Sequence, residues 1–547
     1  MMITTTDKKT GKWKQFGQFS YFKGPETIEL KRARKLMLLE GQLYPDIKLH
    51  PEDLFSEISR KGLNSDLRIF KGRYCGCIID KDKAEITIFN DQLGLGDVYY
   101  MHSRKEIMIA TDFTQILKER LWGEKNLDKI ACAEMVLYEH SLLDRTFLKE
   151  VKILPYATIK TIRKGGATKT KSFWRYGHAE DNDFDIKKAL IKLDSLMHKA
   201  MKRIKSMNNE AMSIGISGGL DSRIVARYAL TENIPLRAFV ISHKGSDAFK
   251  IAKQIAKSLK IDLKLIAVRK QAWNRIEEHV AKKPLLNILY SPYASVTEDL
   301  PKTRSILTGF NGDNIFGSHI KEGELTEGDP VAHIRGRYEL KSKSVRISDN
   351  LMSAVKKDLQ HYNGSKKTVA WKTCEAFNFE NRQLHFIKNS AFFDYYGKYK
   401  TFSPFADIDV VEFALKIPVE HLQDSKFYNL FIQTLHPDLA KIRPERKPYN
   451  LHDGSRLKQI KSSILALKWK VYNKTGIKIP LYPAISFQGM LDWEMLSRDF
   501  LSSYDYSRTR IAGIDVTGSI NMRSLSEIRT RFHLITEMEF IRRHLEK

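Results

Sequence analysis

Apolar residues recur with two different periods along this chain, and the change falls near residue 186. Residues 66–115 hold three β-rich runs, set off by turn-forming stretches at DKDK, NDQLGLGD and HSRKE. A further pair of strand-like runs lies in ATIKTIRKGGATKTKSFW, hinged at Lys164-Gly165-Gly166. Trp174–Asp185, WRYGHAEDNDFD, is polar and turn-rich and marks a domain boundary. Beyond it Ile186, Ala189, Leu190, Leu193, Met197, Ala200, Met201 and Ile204 keep helical spacing, which predicts a long amphipathic helix.

An apolar run (MSIGI), a glycine turn (SGGLDS), a helix (SRIVARYALTE), a strand (LRAFVIS), a helix (DAFKIAKQIAKSL) and a strand (LKLIAV) follow in order. Strands alternating with helices predict a doubly wound parallel sheet. The remaining chain reads as mostly helical. It closes on SLSEIRTRFHLITEMEFIRRHLEK, where Ser524 and Glu527 have the spacing of a capping box.

At 547 residues the chain exceeds what one core serves, so two domains are expected, over 1–180 and 186–547. No segment reaches the length of uncharged apolar sequence that a membrane span needs. The opening MMITTTDKKTGKWKQF lacks the apolar core of an export signal, so a cytoplasmic protein without a membrane partner is expected. Four cysteines (Cys75, Cys77, Cys132 and Cys374) are too few for a disulfide framework and read as buried thiols. A net charge of +27 first suggests nucleic acid. The lysines, however, are spread along the whole chain, with no arginine-rich tail or aromatic RNA-binding signature. The charge therefore reads either as a generic basic surface or as attraction for an anionic substrate.

In an open parallel sheet, ligands sit beyond the carboxyl ends of the strands, where the chain turns into a helix. SGGLDS, residues 217–222, stands at such a point. Gly218 and Gly219 let backbone N–H groups approach an anion, and the following helix N-terminus adds a favourable dipole. Ser217 and Ser222 can donate to phosphate oxygens, and Asp221 can hold a Mg²⁺ that bridges them. No lysine follows the glycines, which excludes the GxxxxGK[ST] phosphate loop.

SGGLDS is similar to the pyrophosphate-binding motif of the ATP-pyrophosphatase group, and its setting resembles the asparagine synthetase superfamily. ILTGFNGDNIFGSH (306–319) resembles the downstream GEGxDExFGG loop of that family. SPFADIDVVEFALKIP (403–418) is similar to its PFLD…VVEFA…P segment, and RPERKPYNLHDG (443–454) places Lys447 at a family lysine. GRYCGCIIDKDKAEITIFNDQLGLGDVYY (72–100) resembles the family's glutaminase domain. The likeness is colinear over about residues 65–450. It implies an N-terminal β-rich, Ntn-type glutaminase-like domain followed by an α/β ATP-pyrophosphatase domain with a helical C-terminal region. It further implies ATP and Mg²⁺ as cofactors, with ATP and pyrophosphate at Ser217, Gly218, Gly219, Asp221, Ser222 and Gly309. Mg²⁺ would lie between Asp221 and Asp313, and Lys447 would join these two aspartates in catalysis by contacting phosphate and the reaction intermediate.

Two departures alter what the resemblance implies. Glutamine-hydrolysing relatives use an N-terminal cysteine as nucleophile. This chain begins Met1-Met2-Ile3-Thr4 and has no cysteine before Cys75, so a degenerate first domain without glutaminase activity is expected. Phe310 stands where asparagine synthetases carry a glutamate and β-lactam-forming relatives a tyrosine, and it can neither take nor give a proton. Asn311 beside it could orient a substrate. Candidates for a replacement base are Asn378–Arg382 (NFENR) and EGELTEGD (322–329). The pattern is most similar to lasso-peptide cyclases, AMP-forming carbon–nitrogen ligases that activate a peptide carboxylate for attack by the peptide's own amine. A peptide substrate, delivered by a partner protein or alone, is what that likeness implies. An ammonia-dependent asparagine synthetase, a tRNA-modifying ATP pyrophosphatase and a non-catalytic scaffold are the alternatives.

Overall fold

Residues 1–5, 13–163, 166–242, 244–267, 298–326, 328–363, 369–388, 399–445, 447–475, 501, 504–506, 511, 513–516 and 525–546 are described by the computed structural model of the chain. Two six-stranded antiparallel sheets form the N-terminal unit. In the first, Met2–Thr4 pairs with Phe19–Phe22 on one side and Ile107–Ala110 on the other. In the second, Gly72–Asp80 is flanked by Lys35–Leu43 and Glu85–Asn90.

Alternation along each strand decides which layer every side chain enters. Ile3, Ile107 and Ile109 meet Leu36, Leu38, Cys77 and Ile79 between the sheets. Met37, Leu39, Ile78 and Phe89 point the other way, onto Leu54, Phe55 and Ile58 of the helix Pro51–Lys61. Met2, Met108 and Ala110 face outward from the first sheet, onto the helix Lys129–Tyr138. The helix Leu525–His544 packs into the same cluster through Phe532, Ile535 and Phe540. The layers thus run helix, sheet, sheet, helix.

Four strands, not three, occupy residues 66–115, because the three turns separate four runs: Gly72–Asp80, Glu85–Asn90, Tyr99–His102 and Ile107–Ala110. Leu67–Ile69 is a 3₁₀ turn capped by Asp66. Lys164 and Gly165 of the expected KGG hinge lie outside the described residues, but the strands Thr158–Arg163 and Lys169–Ser172 pair on either side of it.

The second unit opens with helix α1 (Ile186–Met207), whose first N–H groups are capped by the Asp185 side chain. Strands β1 (Met212–Gly215), β2 (Leu236–Ser242), β3 (Leu263–Ala267), β4 (Ser305–Leu307) and β5 (Lys400–Phe402) form one parallel sheet in the order β3-β2-β1-β4-β5. Helix α2 (Leu220–Thr231) joins β1 to β2, and α3 (Asp247–Leu259) joins β2 to β3. From β1 the chain moves outward one way to β3, then returns to β4 on the other side of β1. The switch point therefore lies between the carboxyl ends of β1 and β4. This is the α/β, doubly wound class expected from the pattern.

Arg203, on α1, is 3 % exposed and ties the two units together. It donates to both Asp46 oxygens at 2.8 Å, to both Asp407 oxygens at 2.8 Å, and packs its guanidinium 4.5 Å from the Tyr44 ring centroid. All four cysteines are unpaired and buried. Among the described residues no helix is long and apolar enough to cross a membrane. Ser524 of the expected capping box lies outside the described residues, as does the Glu527 side chain.

Candidate active site

Two loops meet at the switch point. The first leaves β1 as Ser217-Gly218-Gly219 and enters α2 with Gly219 as its N-cap residue. Gly218 has φ +80°, a left-handed conformation that a side chain would strain. The Gly219 N–H donates to Ser217 Oγ at 3.3 Å, and the Ser217 and Ser222 hydroxyls lie 3.4 Å apart. Turn N–H groups, two hydroxyls and a helix N-terminus thus converge, which is the equipment for an anion.

The second loop leaves β4 as Thr308–Gly312 and carries Asp313 into a short helix, Gly312–Ile315. Glycine is required where the loops touch. A Cβ on Gly309 would stand 2.5 Å from Asp221 Cβ, and one on Gly312 would stand 2.8 Å from Asp221 Oδ1. Gly309 therefore works as a close-approach residue pressed on Asp221.

Asp221 Oδ1 is buried and lacks a hydrogen bond of good geometry, although the Tyr428 hydroxyl and the Asp313 N–H face the carboxyl and favour its charged form. Burial first, and the charge of Asp313 second, push the Asp221 carboxyl well above the usual carboxylate range. The Asp313 side chain is 58 % exposed, and His319 Nε2 lies 3.7 Å from its Oδ2. Two facing carboxylates, one with a buried oxygen short of a good hydrogen bond, fit a divalent cation. No group of three or more His, Cys, Asp or Glu side chains gathers to hold a metal among the described residues. A cation here would complete its shell with phosphate oxygens and water, which suits Mg²⁺ better than an all-protein cage would.

Lys447 is exposed, with Nζ 5.7 Å from the Tyr449 ring centroid. Its loop docks on the glycine turn: the Glu445 N–H donates to the Gly218 carbonyl at 2.9 Å. The structure thus brings the backbone of Glu445 to the turn, while the Lys447 ammonium rests over tyrosine.

On the acceptor side of the site, the expectation for Phe310 stands, while those for Asn311 and for the replacement base change. Phe310 is 8 % exposed and packs in the core, so its side chain is structural. Asn311 is not free to orient a substrate, since it donates to the Phe405 carbonyl at 3.2 Å and accepts from Asn314 at 3.0 Å. Two of the candidate bases are engaged. Glu380 accepts from the Tyr156 and Tyr362 hydroxyls at 2.7 and 2.8 Å, and Glu324 pairs with Arg337 at 3.1 Å. Glu327 lies outside the described residues. Sequence reasoning also passed over Arg223. Its signal was a cation in the first turn of a helix, four residues after Gly219.

Residues 51–174 match a glutamine amidotransferase domain family, and residues 192–384 match the asparagine synthase family. Two proteins of Methanocaldococcus jannaschii bear the names glutamine-hydrolysing asparagine synthetase 2 and 1. They are 22 % identical over 53 % of this chain and 20 % identical over 64 % of it. The matches span 60 % and 57 % of the length of those relatives. Among solved structures, NMN synthetase from Francisella tularensis is 18 % identical over 26 % of this chain and 60 % of its own, with a TM-score of 0.18. The chain thus carries, in this order, stretches similar to the glutamine amidotransferase and asparagine synthase domains, the pairing suggested by the resemblance to the asparagine synthetase superfamily.

Proposed function

We propose that this protein is an ATP-dependent ligase that joins a carboxylate to an amine through an acyl-adenylate. The observation that supports it most is the meeting of Ser217–Ser222 with Gly309–Asp313 at the switch point, around a buried carboxylate oxygen left for a cation. A substrate carboxylate attacks the α-phosphorus of ATP, the α–β anhydride bond breaks, and pyrophosphate leaves against the N–H groups of the glycine turn. Mg²⁺ held by Asp221 and Asp313 would supply neutralisation of the leaving group's charge. The amine then attacks the acyl carbonyl and AMP departs, with Lys447 offering its charge to the developing oxyanion.

The amine we propose belongs to a peptide whose own side-chain carboxylate is activated, so that the product is a macrolactam of the lasso-peptide kind. The buried Phe310, which leaves no proton-handling group at that position, and the +27 charge, which favours an acidic peptide, support this choice. A partner protein that delivers the peptide belongs to the same proposal. Glutamine hydrolysis does not. Cys75 and Cys77 lie buried within Gly72–Asp80, and burial pushes both thiols up, Cys77 to about 12, away from the thiolate a nucleophile needs. The asparagine synthase match supports one other reading, ammonia-dependent amidation of aspartate.

AMP release from ATP and Mg²⁺ separates the two. AMP formed with an acidic peptide alone is the expected result, and AMP formed only with aspartate and ammonium overturns the peptide assignment. Lys447→Ala should leave ATP binding within about twofold while slowing product formation by about 10²-fold, the usual cost of losing an oxyanion donor. Normal turnover in that variant would remove Lys447 from the site.

A further inference from the structure

Arg223 breaks a local rule. It stands in the first turn of α2, where the helix dipole disfavours a cation. It is also completely buried, where a charge without partners is costly. Local conflicts of this kind concentrate at functional sites, where other interactions offset them.

A guanidinium has five N–H donors, and all five are used here on backbone carbonyls. Nε donates to Gly219 at 2.9 Å, Nη2 to Gly218 at 2.8 Å and to Arg443 at 3.3 Å, and Nη1 to Leu439 at 2.9 Å and Ile442 at 2.6 Å. Two acceptors belong to the glycine turn and three to the segment that leads into Lys447. In a planar trans peptide the C=O and the next N–H point in opposite directions. Drawing the Gly218 and Gly219 carbonyls inward onto Arg223 therefore turns the Gly219 and Leu220 N–H groups to the opposite side, where the Gly219 N–H meets the Ser217 hydroxyl at 3.3 Å. Burial pulls the guanidinium down, to about 10, so it remains charged at neutral pH.

We propose that Arg223 is the positioning residue of the pyrophosphate turn: it aims the turn's N–H groups, locks the turn to the Lys447 loop, and holds a permanent positive charge behind the leaving group. The proposal rests on the turn being a pyrophosphate site. Lysine in its place can make at most three of the five bonds and cannot span both segments with a planar fork.

The test uses the full-length protein and Arg223→Lys, with Arg223→Gln as the second variant should the first not fold. Two quantities are read: calorimetric affinity for Mg²⁺–pyrophosphate, and hydrogen exchange at the Glu445 amide, which donates to Gly218. Arg223→Lys should bind pyrophosphate about 10- to 100-fold more weakly, and Glu445 should exchange about tenfold faster, as expected for loss of charge-assisted hydrogen bonds. The Lys447→Ala substitution should then add little to Arg223→Lys, because the loop that carries Lys447 is already released. Unchanged exchange or unchanged pyrophosphate affinity overturns the proposal. Absence of pyrophosphate binding by the wild-type protein overturns the underlying assignment of the turn, and faster exchange alone would then restrict Arg223 to holding the fold.

Discussion

Asp221→Asn should lower ATP–pyrophosphate exchange by about 10³-fold or more, the scale on which a metal and a fixed charge act in such a site, while the apo protein melts no lower than wild type. The second half of that expectation follows from the electrostatics. Burial and the neighbouring Asp313 raise the folded-state pKa of Asp221 above its unfolded value. The folded state therefore binds the proton more tightly, and apo stability falls as pH rises from the ordinary carboxylate range toward that raised value. A neutral amide removes this cost. Mg²⁺ should replace the proton: at neutral pH it should raise the melting temperature of the wild type and leave that of Asp221→Asn unchanged. Asp313→Asn should lose exchange as well. Full exchange in either variant, or a Mg²⁺ response that survives both substitutions, would show that the cation binds elsewhere.

Arg203→Met should destabilise the protein by about 3–5 kcal/mol, the usual result of removing one member of a buried ion cluster. Asp407 is 4 % exposed, its carboxyl is already pushed up by burial, and without its guanidinium partner it would have to carry an unpaired charge or take up a proton. The same substitution breaks the pairing with Asp46 across the junction of the two units, so urea unfolding should broaden or split into two transitions. The cluster also sets an acid limit. Burial alone would raise Asp409, but hydrogen bonds from Lys71 and Lys199 and the charge of Arg203 overcome it and hold the carboxyl at about 2. A depressed folded-state pKa contributes stability that is complete above the unfolded value and fades as pH falls toward the folded one. The junction should therefore loosen between about pH 4 and pH 2, and Lys71→Met should narrow that loss. Equal unfolding midpoints for wild type and Arg203→Met would remove the cluster from the stability of the junction.

The second unit was legible because its signals are local. The expected helix from Ile186, the strand LRAFVIS and the helix DAFKIAKQIAKSL appear as Ile186–Met207, Leu236–Ser242 and Asp247–Leu259. Each rests on a period or a run that needs no distant partner. SGGLDS and Asp313 were legible for the same reason, as short motifs at strand ends. The acceptor side was not. Glu380 and Glu324 read as spare carboxylates, and only folding brings Tyr156, Tyr362 and Arg337 to occupy them. Arg223 was in plain sight, but three of its five acceptors lie more than 200 residues further along the chain. Met2–Thr4, read for the absence of an export signal and of a nucleophilic cysteine, is an inner strand; a three-residue run carries too little pattern to declare itself.

The packing of Leu525–His544 against Lys129–Tyr138 has a consequence in time. The outer face of the first sheet and the helix on it are synthesised early, but the helix that completes their apolar cluster is made roughly 400 residues later. At about 5–20 residues per second, that cluster stays incomplete for roughly 20–80 s of every round of translation. During that interval Phe113, Phe147 and Leu137 lack the cover of Phe532, Ile535 and Phe540. A nascent chain released before residue 525 would therefore expose a preformed apolar surface, which makes early termination more harmful to this protein than the loss of a peripheral helix would suggest.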